Sequence, residues 1–219
     1  MNTRFNRFLR NLTFAGAALA LATLTIPAAH AQAVTDEWAS VKAPDKVPEL
    51  KAVTLDPKKT ALLVMDFNKN NCVADQRPRC AIALPKVQKI LAAARAKGML
   101  VVHTITTRMK PDDIAKDVLP KEGERMLVAP VDKFTDNDLA KMLKDKGIDT
   151  VITAGTSANG AVLFTAAGAV LRGFKVVAPV DAMPADGAYQ EQFVVWELAN
   201  APTVSAGVTL TKLDMIKFQ

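Results

Sequence analysis

The sequence predicts an α/β protein: a three-layer, Rossmann-like fold with a mostly parallel central sheet flanked by helices. Three observations predict it. Short apolar runs recur at 61–65, 99–102, 150–154 and 176–180, and continuous runs of that length read as strands buried on both faces. Stretches with helical spacing lie between them. Repeated strand–helix–strand units then require crossovers that put helices on both faces of a parallel sheet. The 219 residues suit one domain with appendages, and 50% hydrophobic content with 23% charge excludes a disordered tail. Two Cys and two His cannot build a four-ligand zinc site unless carboxylates complete it.

Residues 1–31 read as a secretory signal peptide. Arg4, Arg7 and Arg10 precede an apolar run from Phe14 to Ile26, and Ala29-His30-Ala31 forms a small-x-small cleavage pattern before Gln32. The run is shorter than the ~20 residues of a membrane span. Cleavage after Ala31 implies a periplasmic or secreted protein with no stable membrane span. The segment carries three arginines and no acid, so its removal takes the net charge from +6 to +3. That charge is too mild to argue for nucleic acid, and no basic cluster with interleaved aromatics occurs. His103 is then the one remaining histidine.

Residues 32–58 read as an irregular lead-in broken by Pro44, Pro48 and Pro57, ahead of a domain over 59–219. The first strand ends at Asp66. Pro85 opens a helix in which Val87, Ile90, Leu91 and Ala94 share a face, and Gly98 stops it. The second strand leads to His103. Residues 108–132 read as a long loop with at most a short helix. A helix runs from Asp136 to Lys146, capped by Thr135 or Asp136 and ended by Gly147. The third strand leads into Gly155-Thr156-Ser157-Ala158-Asn159-Gly160-Ala161 and a helix reaching Arg172. The fourth ends at Asp181. Tyr189 to Asn200 reads as a helix and Val208 to Leu213 as a last strand.

Ligands of such sheets bind beyond the carboxyl ends of the strands. That rule selects Asp66, His103 with Thr104, the 155–161 turn, Asp181, and the loop carrying Lys133. Asp66 follows five apolar residues, so its carboxylate must be paired or shifted in pKa; capping the following loop is the plainer alternative. The helix start after Gly155 offers free N–H groups as an anion cradle. Gly-x-Gly-x-x-Gly is absent, which argues against a dinucleotide cofactor. Arg77 and Arg79 either clamp a substrate carboxylate or form a solvated basic loop. His103 either binds substrate or is a satisfied core residue. Cys72 and Cys80 share one loop, and in an exported chain a disulfide is the favoured reading over a reactive Cys72. Phe193 and Trp196, at helical spacing, are core or subunit contact.

From Thr60 to about Met215 the chain resembles the isochorismatase-like hydrolase superfamily of cysteine hydrolases. The matching pieces are Ala-Leu-Leu-Val-Met-Asp66, Asp132-Lys133-Phe134 ahead of Asp138-Leu139, Val151-Ile152-Thr153-Ala154-Gly155, Thr165-Ala166, Gly173-Phe174 and Val180-Asp181-Ala182. The resemblance implies a catalytic triad of Asp, Lys and Cys. Asp66 occupies the first position. Lys133 occupies the second, though it directly precedes Phe134, where the family spaces its Lys a few residues ahead. The nucleophile position falls on Ala161, which excludes thiolate catalysis there. True isochorismatases also lack this Cys and use the Asp as proton donor with water completing the reaction. The resemblance further implies a cis Thr156–Ser157 peptide, an anion cradle from the Ser157 and Ala161 amides around Gly160, and assembly with further copies of the chain. A Ser157–His103 nucleophile pair is disfavoured, because the family uses the Ser157 position for its backbone. The metal site of nicotinamidases needs His residues near the Asp, so no metal is expected.

The resulting expectation is an exported hydrolase acting on a small, anionic organic substrate by Asp/Lys-assisted attack of water. Its alternative is a non-catalytic binding protein of the same fold. Replacing Asp66 by Asn is expected to abolish turnover and leave the melting temperature unchanged or raised.

Overall fold

A computed structural model describes residues 33–219. The expected signal peptide and its cleavage site lie outside the described residues. The chain divides into two compact units, with the boundary after Pro44. Of the first unit, residues 33–44 form exposed turns, one closed by the Ala33 N–H donating to Asp36 Oδ2 at 3.1 Å.

The second unit contains the expected α/β fold. Its central sheet has six strands: β2 (Thr60–Met65), β3 (Leu100–Ile105), β4 (Arg125–Val128), β5 (Thr150–Gly155), β6 (Lys175–Pro179) and β7 (Val208–Thr211). They lie in the order β4-β3-β2-β5-β6-β7, and every pairing is parallel. The chain starts in the middle with β2, works outward to β4, then returns to β5 beside β2. The junction of β2 and β5 is therefore the topological switch point, where a crevice opens at the strands' carboxyl ends.

Strand β2 is buried along its whole length. Its side chains alternate between two cores, as period 2 demands. Leu63 and Met65 pack with Leu139, Leu143, Ala166 and Val194 on one face. Leu62 and Val64 pack with Leu84, Val87 and Leu91 on the other. Helix α1 (Pro78–Ala96) covers the second face; α2 (Leu139–Asp145), α3 (Leu163–Leu171) and α4 (Ala188–Asn200) contribute to the first. Each fully buried Leu contributes about 1.5–3 kcal/mol, so the inner strands hold their ends in fixed register. Gly155 is required at the switch point. A Cβ there would stand 2.6 Å from Met65 Cβ and 2.9 Å from Met65 O.

Several expected boundaries are corrected. Helix α1 begins at Pro78, where proline's missing N–H costs nothing in a first turn, and Pro85 lies inside it. The lead-in is not wholly irregular: β1 (Val53–Leu55) pairs in parallel with β8 (Ile216–Phe218). The expected loop over 108–132 contains β4, a half-buried edge strand. Helix α2 starts at Leu139, with the Asn137 side chain accepting from the Leu139 N–H at 2.9 Å, and not at Asp136, whose φ is 55°. The last expected strand stops at Thr211. Asp181 lies in a 3₁₀ turn, and its carboxylate accepts from the Leu213 N–H at 2.9 Å and faces Lys86. That is a structural role.

Candidate active site

Asp66 follows β2 with a left-handed backbone (φ 60°). Asp and Asn tolerate that region better than other side-chain-bearing residues. Its N–H donates to Thr104 O at 3.0 Å, and the Thr104 hydroxyl donates to its Oδ1 at 3.0 Å. Oδ2 faces Lys133 Nζ at 2.6 Å, and the Lys133 side chain is 0% exposed. Lys133 is therefore a buried residue of the site and not a solvated surface lysine. Burial pushes the Asp66 carboxyl above its ordinary range; the charge and hydrogen bond of Lys133 and the hydroxyl of Thr104 oppose this without cancelling it.

The altered spacing around Lys133 is accommodated by anchors on both sides. Asp132 faces Arg172 at 3.2 Å and accepts from the Phe134 N–H at 3.0 Å. Phe134 stacks on Phe174 with ring centroids 5.7 Å apart. The Lys133 N–H donates to Thr165 Oγ1 at 3.2 Å. Between these anchors the side chain has one buried direction, toward Asp66, with the Ala129 carbonyl as a second acceptor at 3.4 Å.

Across the switch point, the Thr156–Ser157 peptide is cis. The backbone then passes through an irregular turn over Ala158–Val162 before α3. Ala161 is buried on this turn, and Gly160 there has non-helical dihedrals. The Ser157 hydroxyl donates to Asn159 Oδ1 at 2.7 Å, an arrangement with no His partner. Asp66, Thr156, Ser157 and Ala161 line one cavity of about 570 Å³, together with Arg108 and Val131. That volume suits a small molecule.

Other candidates lie elsewhere. Arg77 pairs with Asp186 at 2.7 Å, and Arg79 forms a bidentate pair with Glu191. Their donors face protein carboxylates, so neither is poised to clamp a substrate. His103 points away from Asp66, because its neighbour Thr104 occupies that face of β3. Its Nε2 is 2.9 Å from Glu124, which also binds Arg95. It is a satisfied core histidine whose pKa burial lowers, against the opposing pull of Glu124. Cys72 and Cys80 are both buried, with Cα atoms 5.0 Å apart. Phe193 and Trp196 are 42% and 37% exposed, which rules out the core alternative. Among the described residues no group of three or more His, Cys, Asp or Glu converges to hold a metal, and no helix is long and apolar enough to cross a membrane.

Sequence reasoning missed Arg108. It follows β3 at its carboxyl end, the place the fold rule indicates. Among the described residues it has no carboxylate within ion-pair distance.

A buried acid–ammonium pair opens onto a small-molecule cavity at the switch point of a parallel α/β sheet, the place where such folds bind ligands. Comparison with known proteins gives the family. The isochorismatase domain model matches residues 60–211. Maleamate amidohydrolase of Pseudomonas putida is 30% identical over 149 residues, covering 55% of this chain and 70% of that protein. A cysteine hydrolase from Pseudomonas syringae pv. phaseolicola has the same fold, with a TM-score of 0.65 at 21% identity over 76% of this chain and 94% of that one. N-carbamoylsarcosine amidase from Thermoplasma acidophilum gives 0.61 at 24% identity over 71% and 97%. The chain belongs to the isochorismatase family, and membership supports a hydrolytic function on small substrates.

Proposed function

We propose that this protein is an exported hydrolase of a small organic anion that works without a cysteine nucleophile. The observation that carries the reading is the Asp66 carboxyl, raised in pKa by burial and held 2.6 Å from Lys133 at the wall of the cavity. A carboxyl raised above its ordinary pKa is a better match for proton transfer than an ordinary carboxylate. Asp66 donates its proton to the leaving oxygen or nitrogen as the scissile bond breaks. Water adds its hydroxyl to the carbon, and its remaining proton returns to Asp66. Lys133 holds the carboxylate in the interval. The amides of Ser157 and Ala161 supply the anion cradle. Ala161, with no nucleophile to offer, favours a second reading: a binding protein that keeps the pocket without turnover. A panel of vinyl ethers, amides and small aromatic acids separates the two. Product formed by the wild type and lost in Asp66→Asn supports hydrolysis; thermal stabilisation with no product from any compound supports binding alone.

Export is proposed on the Arg-rich start, the apolar run and the Ala29-His30-Ala31 pattern. A disulfide between Cys72 and Cys80 fits that compartment. N-terminal sequencing of the mature protein should begin at Gln32. Assembly with further copies is supported by Tyr189, Phe193 and Trp196, which form an exposed stripe on α4; light scattering reads the mass directly.

A further inference from the structure

The cavity has two chemically distinct parts. One is the Asp66–Lys133 pair, already matched in charge. The other is polar and unmatched. Thr156 is 5% exposed and lines the cavity, yet its Oγ1 is buried with no hydrogen-bond partner among the described residues. Leaving a buried hydroxyl unpaired costs about 1–3 kcal/mol, and a ligand that draws the Thr156 hydroxyl round to the cavity surface relieves that cost. Arg108 lines the same cavity and has no carboxylate partner among the described residues, whereas Arg77, Arg79, Arg95, Arg125 and Arg172 all have one. Pro130 and Val131 supply an apolar wall in that cavity.

We propose that Arg108 and the Thr156 hydroxyl form a carboxylate subsite, so that the substrate is a small organic acid with its carboxylate on Arg108 and its scissile group against Asp66. The guanidinium fork matches a carboxylate bidentately. Thr156 donates its hydroxyl proton to the same group. The Asp66 end repels a second anion once Asp66 ionises, which orients the substrate one way round. The assignment of the scissile end rests on the hydrolytic reading above; the carboxylate subsite stands apart from it.

The test uses the full mature chain and two probes of one shape, crotonate and crotonamide, read by calorimetry and thermal shift. Crotonate should bind and crotonamide should bind at least about tenfold more weakly, as expected when a charged hydrogen-bond partner is lost. Arg108→Ala should remove that preference. Arg108→Lys should restore part of it, because an ammonium keeps the charge and loses the fork. Thr156→Val should weaken crotonate while Arg108 still discriminates. Equal binding of both probes to wild type, no binding of either, or unchanged crotonate affinity in Arg108→Ala would overturn the subsite. Arg108 is exposed at the surface, so its variants should fold. Discrimination that depends on Arg108, in a protein that turns over no substrate, would sink the hydrolytic reading and leave the subsite standing.

Discussion

Lys133 Nζ stands 2.6 Å from Asp66 Oδ2, and the lysine has no exposed surface. An ammonium in that position is tolerable only with its carboxylate opposite. This geometry leads to an outcome for Asp66→Asn other than a melting temperature left unchanged or raised.

Asp66→Asn should abolish turnover and also destabilise. Asn suits the left-handed backbone at φ 60°, so the loss comes from the stranded ammonium. Breaking a buried pair from one side costs about 3–5 kcal/mol. Adding Lys133→Met should recover most of the stability and none of the activity. Urea unfolding of both variants, beside activity assays, checks this. An Asp66→Asn protein as stable as wild type would show that the pair is not buried.

Gly155→Ala should damage the site without touching its chemistry. The new Cβ falls 2.6 Å from Met65 Cβ and 2.9 Å from the Met65 carbonyl, both on the strand that ends at Asp66. Forced overpacking costs about 1–3 kcal/mol, and relief requires β2 and β5 to part at the end where Asp66 and Thr156 face the cavity. Turnover should fall more steeply than stability, read by kcat beside the unfolding midpoint.

Three shifted groups, His103 and Asp66 buried and Glu124 partly buried, set opposing slopes in stability against pH. Burial lowers His103 from 6.5, so the unfolded chain binds more protons there and stability is lost as pH falls below 6.5. Glu124 is raised by burial, but bonds from Arg95, the Lys121 N–H and His103 outweigh that and bring it from 4.5 to about 2. Its contribution is present above 4.5 and lost as pH falls from there toward 2. Asp66 acts in the other direction. Its folded pKa is raised above 3.8, so stability declines as pH rises through the interval above that value. His103→Gln should flatten the limb just below 6.5 and leave the lower Glu124 limb in place. Thermal unfolding from pH 3 to 8 gives both curves.

What was legible in the sequence follows from how local each signal is. Strand β2 and Asp66 were readable because a strand buried on both faces leaves an unbroken apolar run with the acid at its end. Strand β4 was not, since its half-buried Arg125–Val128 shows no period and sits among prolines. Arg77 and Arg79 could not be judged from their loop, because Asp186 and Glu191 lie 109 and 112 residues along the chain. His103 and Thr104 were selected together, yet adjacent strand residues face opposite sides. Only Thr104 reaches Asp66, and His103 serves Glu124. The proximity of Lys133 to Asp66 came through resemblance alone; its physical cause, the Asp132–Arg172 and Phe134–Phe174 anchors, is long-range.

Ala161→Cys tests whether position 161, where the sequence resemblance puts the family's nucleophile, is aimed at the chemistry. Ala161 is buried but lines the cavity with Asp66 and Ser157, so a Cys adds one sulfur at the cavity wall and should cost little stability. If Cys72 and Cys80 are paired, the native wild type titrates no thiol and the variant titrates one. The new thiol stands beside a buried ammonium–carboxylate pair at a helix entry, surroundings that favour thiolate. It should react with iodoacetamide, be protected by crotonate through Arg108, and confer hydrolysis of small amides that the wild type cleaves poorly or not at all. An unreactive thiol would mean that position 161 faces away from the cavity. A reactive thiol without amide turnover would mean that the Asp66–Lys133 pair, as placed here, serves water and not sulfur.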